Sequence, residues 1–363
     1  MKKKRILIIF FGELYRFVPG LTVVESLQNS CELSVLSYEK EINGRNLRHK
    51  YAGVNFISQN KRPDYESFLD KVIRHVFYPI KFHLEVCRIL KKSHYDLIWV
   101  LHEKTLKEFL NYLTGKKYVV SFYELNDHNF SFIRKTQKGV KNAMHVVSCE
   151  HNRSCIMRVW YQLPYTPSVI PNKPFSHPRE RNLDCSFSHL LDNKEIILYQ
   201  GYIQKVRNID NLCKALLELP SYTLVLMGGG DESYIAELKN KYKNIIFIGF
   251  VAPPEHLKIT SYARIGIVKY DHVYLNHTFC APNKIWEYSG FGIPILGNDL
   301  PGLEYTIGQA GAGLCVNFDD IEDIKRGIIE INAHYESYSA KALSFYESVD
   351  IKDELLNIVN KSI

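Results

Sequence analysis

Short apolar runs closed by glycine, asparagine or proline punctuate this chain, and between them apolar residues recur at three- and four-residue intervals. In the first half the runs are Ile6 to Phe11, Glu32 to Ser37, Leu97 to Val100, Tyr118 to Phe122 and Ala143 to Ser148. In the second they are the run ending at Gly201, Leu224 to Asp231, Ile245 to Gly249 and Pro294 to Leu296. Runs without polar alternation suit strands covered on both faces, so the pattern predicts an α/β chain with parallel sheets and intervening helices. Val169-Ile170-Pro171-Asn172 followed by Lys173-Pro174 is a sharp stop, and the polar stretch after it reads as a linker. The predicted organisation is a domain over 1–175, a linker over 176–189, a second domain over 190–339 and a helical tail over about 340–363. In such sheets ligands bind beyond the C-terminal ends of the strands, which predicts a cleft between the two domains.

The densest chemistry lies in Pro282 to Glu304, PNKIWEYSGFGIPILGNDLPGLE. Pro282 and Asn283 sit where a helix would start, with backbone N–H groups open to an anion. Lys284 adds a mobile positive charge. Glu287, one turn on and on a face shared with Asn283 and Lys284, can accept two hydroxyl protons of a ribose. Gly290 and Gly292 close the helix before a short buried strand. A plainer reading is that Asn283 and Glu287 only cap and solvate that helix. Upstream, EIILYQGYIQKVRNIDNLCKALL over Glu195 to Leu217 reads as strand, loop and helix, with Gly201 at the strand end and Lys205 and Arg207 in the loop. Arginine can fork across two phosphate oxygens. Gly228-Gly229-Gly230 does not complete a dinucleotide fingerprint, because Ser233 holds the last position.

The Pro282 segment resembles the sugar-nucleotide signature of retaining glycosyltransferases of the GT-B fold, in particular family 4, the glycosyl transferases group 1. The resemblance implies two Rossmann-like parallel-sheet domains facing a central cleft, with the C-terminal helix crossing back to the first domain. It implies that Glu287 binds the donor ribose, that Pro282, Asn283 and Lys284 cradle the donor phosphates, and that the loop after Gly201 supplies cations. It also places the turn Gly249-Phe250-Val251 beside the nucleobase, although Phe250 could equally be a core aromatic. Departures are plain: Phe279 stands where a second glutamate is usual, and Tyr202 stands where an arginine is usual, with Arg207 at the lysine position and Lys205 nearby. On the acceptor side, SFYELNDHNF over Ser121 to Phe130 only loosely follows the family's histidine-bearing loop, with Asp127 and His128 as candidates to orient or deprotonate an acceptor hydroxyl. His102 is a comparable candidate. Gly12 and Gly20 are expected to flank a loop that lets the acceptor approach.

Charge changes the picture in one respect. The net charge is +7, but residues 1–180 carry 29 Lys and Arg against 16 Asp and Glu, while residues 181–363 carry 17 against 23. The first half therefore faces something acidic, a membrane surface, a phosphorylated lipid acceptor or a nucleic acid by charge alone, and of these no nucleic-acid partner is expected. Lys71 to Lys92, cationic and interleaved with Phe77, Tyr78, Phe82 and Leu84, suits an interfacial element that Pro79 would divide into two helical pieces. An ordinary amphipathic helix is the alternative. The apolar run Ile6 to Phe11 is too short for a signal peptide, and eight cysteines without a Cys-x-x-Cys pair suit a cytoplasmic chain of reduced thiols. No Asp-x-Asp triplet occurs, so neither a metal nor a cofactor beyond the nucleoside diphosphate sugar is expected, and the leaving group would rely on cations and dipoles. The expected activity is retaining transfer of a sugar to a hydroxyl acceptor in polysaccharide or lipid-linked glycan assembly, at the inner face of a membrane. Two alternatives share the architecture: a UDP-sugar epimerase, which needs an acidic, histidine-rich cleft, and a non-catalytic scaffold or binding subunit.

Overall fold

The computed structural model describes residues 3–38, 47–60, 76–181, 184–243 and 245–363. The chain forms two compact units, Met1–Phe175 together with Asp350–Ile363, and Ser176–Val349. Residues 176–189 thus group with the second unit, and of the tail only Asp350–Ile363 groups with the first.

In the first unit the strands are β1 (Arg5–Glu13), β2 (Glu32–Tyr38), β3 (Asn55–Asn60), β4 (Leu97–Leu101), β5 (Tyr118–Phe122), β6 (His145–Ser148) and β7 (Ser168–Val169). They pair in the order β3-β2-β1-β4-β5-β6-β7, every pair parallel. The apolar runs fill the core as expected, with Ile6 to Ile9 and all of β4 and β5 buried. β3 escapes a reading of apolar runs because four of its six residues are polar. Gly12 lies near the end of β1 and Gly20 in the first turn of the helix Val18–Leu27, so the two flank a short connection over residues 14–17. Pro79 follows two helical residues, Val76 and Phe77, that directly precede the regular helix. It stands at the first turn of Tyr78–Lys92, where its missing N–H costs no hydrogen bond. Residues 71–75 of the expected interfacial element lie outside the described residues. The tail is two helices, Tyr335–Glu347 and Ile351–Ser362. Asp350 separates them, its carboxylate accepting from the backbone N–H groups of Lys352 and Asp353. The last helix buries Leu355, Ile358 and Val359 and packs on Val18–Leu27 within the first unit.

In the second unit β8 (Glu195–Gln200), β9 (Tyr222–Met227), β10 (Ile245–Gly249), β11 (Ala263–Val268), β12 (Ile295–Asn298) and β13 (Gly313–Val316) form a parallel sheet in the order β10-β9-β8-β11-β12-β13. β11 lies in its middle, yet the expected strands omit it because Arg264 and Gly266 interrupt its apolar run. Gly266 is required by packing: a Cβ there would come 2.4 Å from the ring of the buried Tyr288. Apolar clusters cover both faces, one including Leu198, Trp286 and Leu303, the other Leu212, Leu226 and Ile328. Strand order reverses between β8 and β11, the place where a parallel sheet opens a crevice at its C-terminal edge. The glycine run serves that edge, since a Cβ on Gly228 would lie 1.8 Å from the Gly201 carbonyl oxygen. Among the described residues no helix is long and apolar enough to cross a membrane.

Candidate functional site

Two cations meet at the end of β8. Gly201 has φ +138°, open to glycine, and a Cβ there would stand 2.9 Å from Lys284 Nζ and 3.7 Å from Arg207 Nη1. Lys284 comes from the first turn of the helix Asn283–Ser289 and is 7% exposed. Its Nζ has no hydrogen-bond acceptor among the described residues. It lies 5.2 Å from the centre of the Tyr199 ring and 5.4 Å from that of Tyr270. Arg207 ends a single turn, Lys205–Arg207, and packs 4.5 Å from the Tyr270 ring centre while pointing Nη1 at the Tyr199 hydroxyl, 3.4 Å away. Tyr270 is a fixed platform: its N–H donates to Asn298 Oδ1 and its carbonyl accepts from Asn298 Nδ2, both at 3.0 Å. Burial, then the neighbouring Arg207, brings the Lys284 ammonium down to about 7, against the opposing pull of Glu287. A buried ammonium beside a guanidinium with too little negative charge between them is matched to a polyanion.

Glu287 lies one turn further along the same helix and is 8% exposed, so the plainer reading of a residue that only solvates the helix does not hold. Gln200 Nε2 donates to one carboxylate oxygen at 2.5 Å, and His256 Nε2 stands 3.2 Å from the other. The Gln200 amide oxygen in turn accepts from the Thr260 hydroxyl at 2.8 Å. Burial works to raise the Glu287 carboxyl, but the hydrogen bond and charge of His256, with His177 and Lys284, outweigh it and hold the group below its usual value. Sequence reasoning missed Gln200, His256, Thr260, Tyr199 and Tyr270. A polar Gln200 at the end of an apolar strand was a readable signal. His256 and Thr260, one turn apart on a five-residue helix, carry none.

The remaining expected residues scatter around this centre. Pro282 occupies the cap position of the helix and Asn283 its first residue, without a side-chain cap. Gly249 has φ +80° and its carbonyl accepts from Gly228 N–H at 2.8 Å, tying the ends of β9 and β10. Phe250 is 74% exposed and therefore not a core aromatic, whereas Val251 packs on the core. Lys205 is exposed, and its charge bears on Asp231 rather than on the Arg207 and Lys284 pair. Phe279 follows the short helix Leu275–Thr278.

Asp127, His128 and Gly12 belong to the first unit, where Asp127 is half-buried and His128 exposed. There the strand order reverses between β1 and β4, and the residue at that edge is His102, held at φ +76°. Its Nδ1 lies 3.3 Å from an oxygen of Glu103, which is fully buried and accepts from Tyr123 N–H and Asn126 Nδ2, each at 3.2 Å. Glu103 was not foreseen.

Residues 184–341, nearly the whole second unit, match the family of glycosyl transferases group 1. Alpha-galactosylglucosyldiacylglycerol synthase of Streptococcus pneumoniae is 29% identical over 191 residues, 48% of this chain and 46% of that protein. The chain thus aligns with less than half the length of this relative. HepE of Anabaena, solved with UDP and glucose, superposes with a TM-score of 0.72 at 13% identity, covering 99% of each chain. Sucrose-phosphate synthase of Thermosynechococcus elongatus superposes at 0.66 and 15% identity, covering 98% of this chain and 95% of that one. At such identities the likeness is one of fold. With a match over residues 184–341, less than half of the chain, and a fold shared along its whole length, the chain has the GT-B fold and its second unit is similar to the glycosyl transferases group 1.

Proposed function

We propose that the chain transfers a sugar, with retention and without a metal ion, from a nucleoside diphosphate donor to a hydroxyl acceptor at a membrane surface. The observation that carries this reading is the buried, unpaired Lys284 ammonium beside Arg207 at Gly201. In the reaction the bond between the sugar anomeric carbon and the β-phosphate oxygen breaks, the acceptor oxygen bonds to that carbon on the same face, and the acceptor proton passes to the departing phosphate. Negative charge grows on the diphosphate as that bond breaks. Lys284 and Arg207, already desolvated and in place, stabilise it without reorganisation. Glu287, held by Gln200 and His256, keeps acceptor capacity for ribose hydroxyls. UDP is the favoured base and phosphate, in keeping with the UDP held by the HepE structure.

A lipid-linked acceptor at the cytoplasmic face fits the helix Tyr78–Lys92. Phe77, Ile80 and Leu84 point outward from it, 60%, 55% and 66% exposed, among the exposed cations Lys81, Arg88, Lys91 and Lys92. The name of the pneumococcal relative, a diacylglycerol glycoside synthase, agrees with such an acceptor. The test is to incubate the protein with UDP- and GDP-sugars, with and without diacylglycerol-containing vesicles, and to follow nucleoside diphosphate release and glycolipid by mass spectrometry. Release that needs the vesicles supports the reading. No release with any donor returns the chain to the scaffold alternative.

A further inference from the structure

The segment between β11 and the helix Asn283–Ser289 holds a second polar pair that the cation site does not use. His277 Nδ1 lies 2.9 Å from both carboxylate oxygens of Asp271. Asp271 is itself anchored, accepting from Val273 N–H at 3.1 Å, and its side chain is 11% exposed. A carboxylate on Nδ1 selects the tautomer with the proton there and turns the ring, so that Nε2 faces away from Asp271. The ring lies 5.9 Å from that of Tyr270, the platform under Arg207 and Lys284. The oriented imidazole and the cations assigned to the diphosphate thus neighbour one and the same aromatic ring. Phe279, two residues on, offers no polar side-chain group.

We propose that His277, oriented by Asp271, is a sugar-binding residue that hydrogen-bonds a hydroxyl of the donor's transferred sugar. This rests on the donor-site reading above. The group beyond the β-phosphate is a polyol, and a fixed imidazole nitrogen at its edge discriminates among hydroxyl arrangements as a mobile side chain would not.

The test is calorimetry of UDP, GDP, UDP-glucose, UDP-galactose, UDP-N-acetylglucosamine and GDP-mannose with the wild type, His277→Ala, His277→Gln and Asp271→Ala, with thermal melting as the folding control. The readout is the ratio of the Kd of the best-bound nucleotide sugar to that of its own nucleoside diphosphate. His277→Ala should raise that ratio about five- to twenty-fold, the effect of one lost hydrogen bond that leaves its partner unmatched. The nucleoside diphosphate itself should bind within about three-fold of wild type, Asp271→Ala should follow His277→Ala, and His277→Gln should recover part of the loss. An unchanged ratio in folded His277→Ala overturns the assignment. Equal weakening of nucleoside diphosphate and sugar donor overturns it too, since His277 would then act through Tyr270 and the phosphates. A wild type that binds neither UDP nor GDP fails the donor site, and the subsite with it.

Discussion

Replacing Lys284 by methionine isolates the charge at the centre of the site while keeping a side chain of similar length. An ordinary lysine holds its proton to about pH 10.5, but burial beside Arg207 lowers Lys284 to about 7. The unfolded chain therefore binds this proton more tightly than the folded one. At about 1.4 kcal/mol per unit, the difference costs the folded state roughly 4 kcal/mol at pH 7. Because the unfolded state carries more protons between pH 7 and 10.5, stability rises as pH increases through that window. The expected gain between pH 7 and 9.5 is about 2 to 3 kcal/mol. Lys284→Met should remove this rise and be the more stable protein at pH 7, while losing nucleotide affinity. Binding supplies a second reading of the same group. At pH 8 only about a tenth of the wild-type ammonium is charged, and a bound diphosphate raises its pKa again. Binding of a UDP-sugar should then take up close to one proton, about 0.9, falling towards zero at pH 6. Titration calorimetry at pH 8 in two buffers of different ionisation enthalpy measures that uptake. Tight binding with less than about 0.2 proton taken up, or a Lys284→Met protein less stable than wild type at pH 7, would refute the account of a desolvated, unpaired ammonium.

Arg207→Ala, which removes the cation stacked on Tyr270, should weaken UDP binding about ten- to a hundred-fold, from roughly 1.5 to 3 kcal/mol for charge-assisted hydrogen bonds; unchanged affinity in calorimetry counts against the cradle. Glu287→Gln should lower UDP affinity about 30-fold or more by loss of its charged hydrogen bonds. It should also flatten the acid limb of stability. The depressed Glu287 carboxyl stabilises the fold above its unfolded value of 4.5, and that contribution is lost as pH falls through the lower folded value; a chemical-denaturation series over pH 3 to 6 that is superimposable on wild type would count against it. Because Leu84 is exposed, Leu84→Asp should leave the melting temperature unchanged but reduce co-sedimentation with anionic vesicles. Wild-type binding should itself weaken as salt rises, and equal binding to neutral vesicles would remove the membrane reading.

Much of the site is local in sequence, and that part was readable. Gly201 ends an apolar run, and Lys284 and Glu287 sit three residues apart after a proline, so their side chains share a helix face whatever else surrounds them. The state of those groups was not readable. Lys284 looked like a mobile positive charge, and in the plainer reading Glu287 only solvated its helix, yet both are buried. Their environment comes from residues far along the chain: Gln200 lies 87 positions from Glu287, and His256 sits on another helix.

What the sequence by itself determined is the architecture of alternating buried strands and helices, because uninterrupted apolar runs have no other use in a chain this polar, and the short segments whose function is carried within one helical turn. Tertiary structure decided the rest. The order β10-β9-β8-β11-β12-β13 brings the ends of β8 and β11 together at the reversal, and so sets Arg207 and Lys284 against Tyr270. It also explains why Gly228 tolerates no side chain, since the contact it must allow is with Gly201, 27 residues earlier. The same holds for Glu103, an unremarked acid in the sequence that the fold buries beside His102. Periodicity reports how a residue is exposed along its own element; which charge meets which depends on the pairing of strands, and that is a property of the whole sheet.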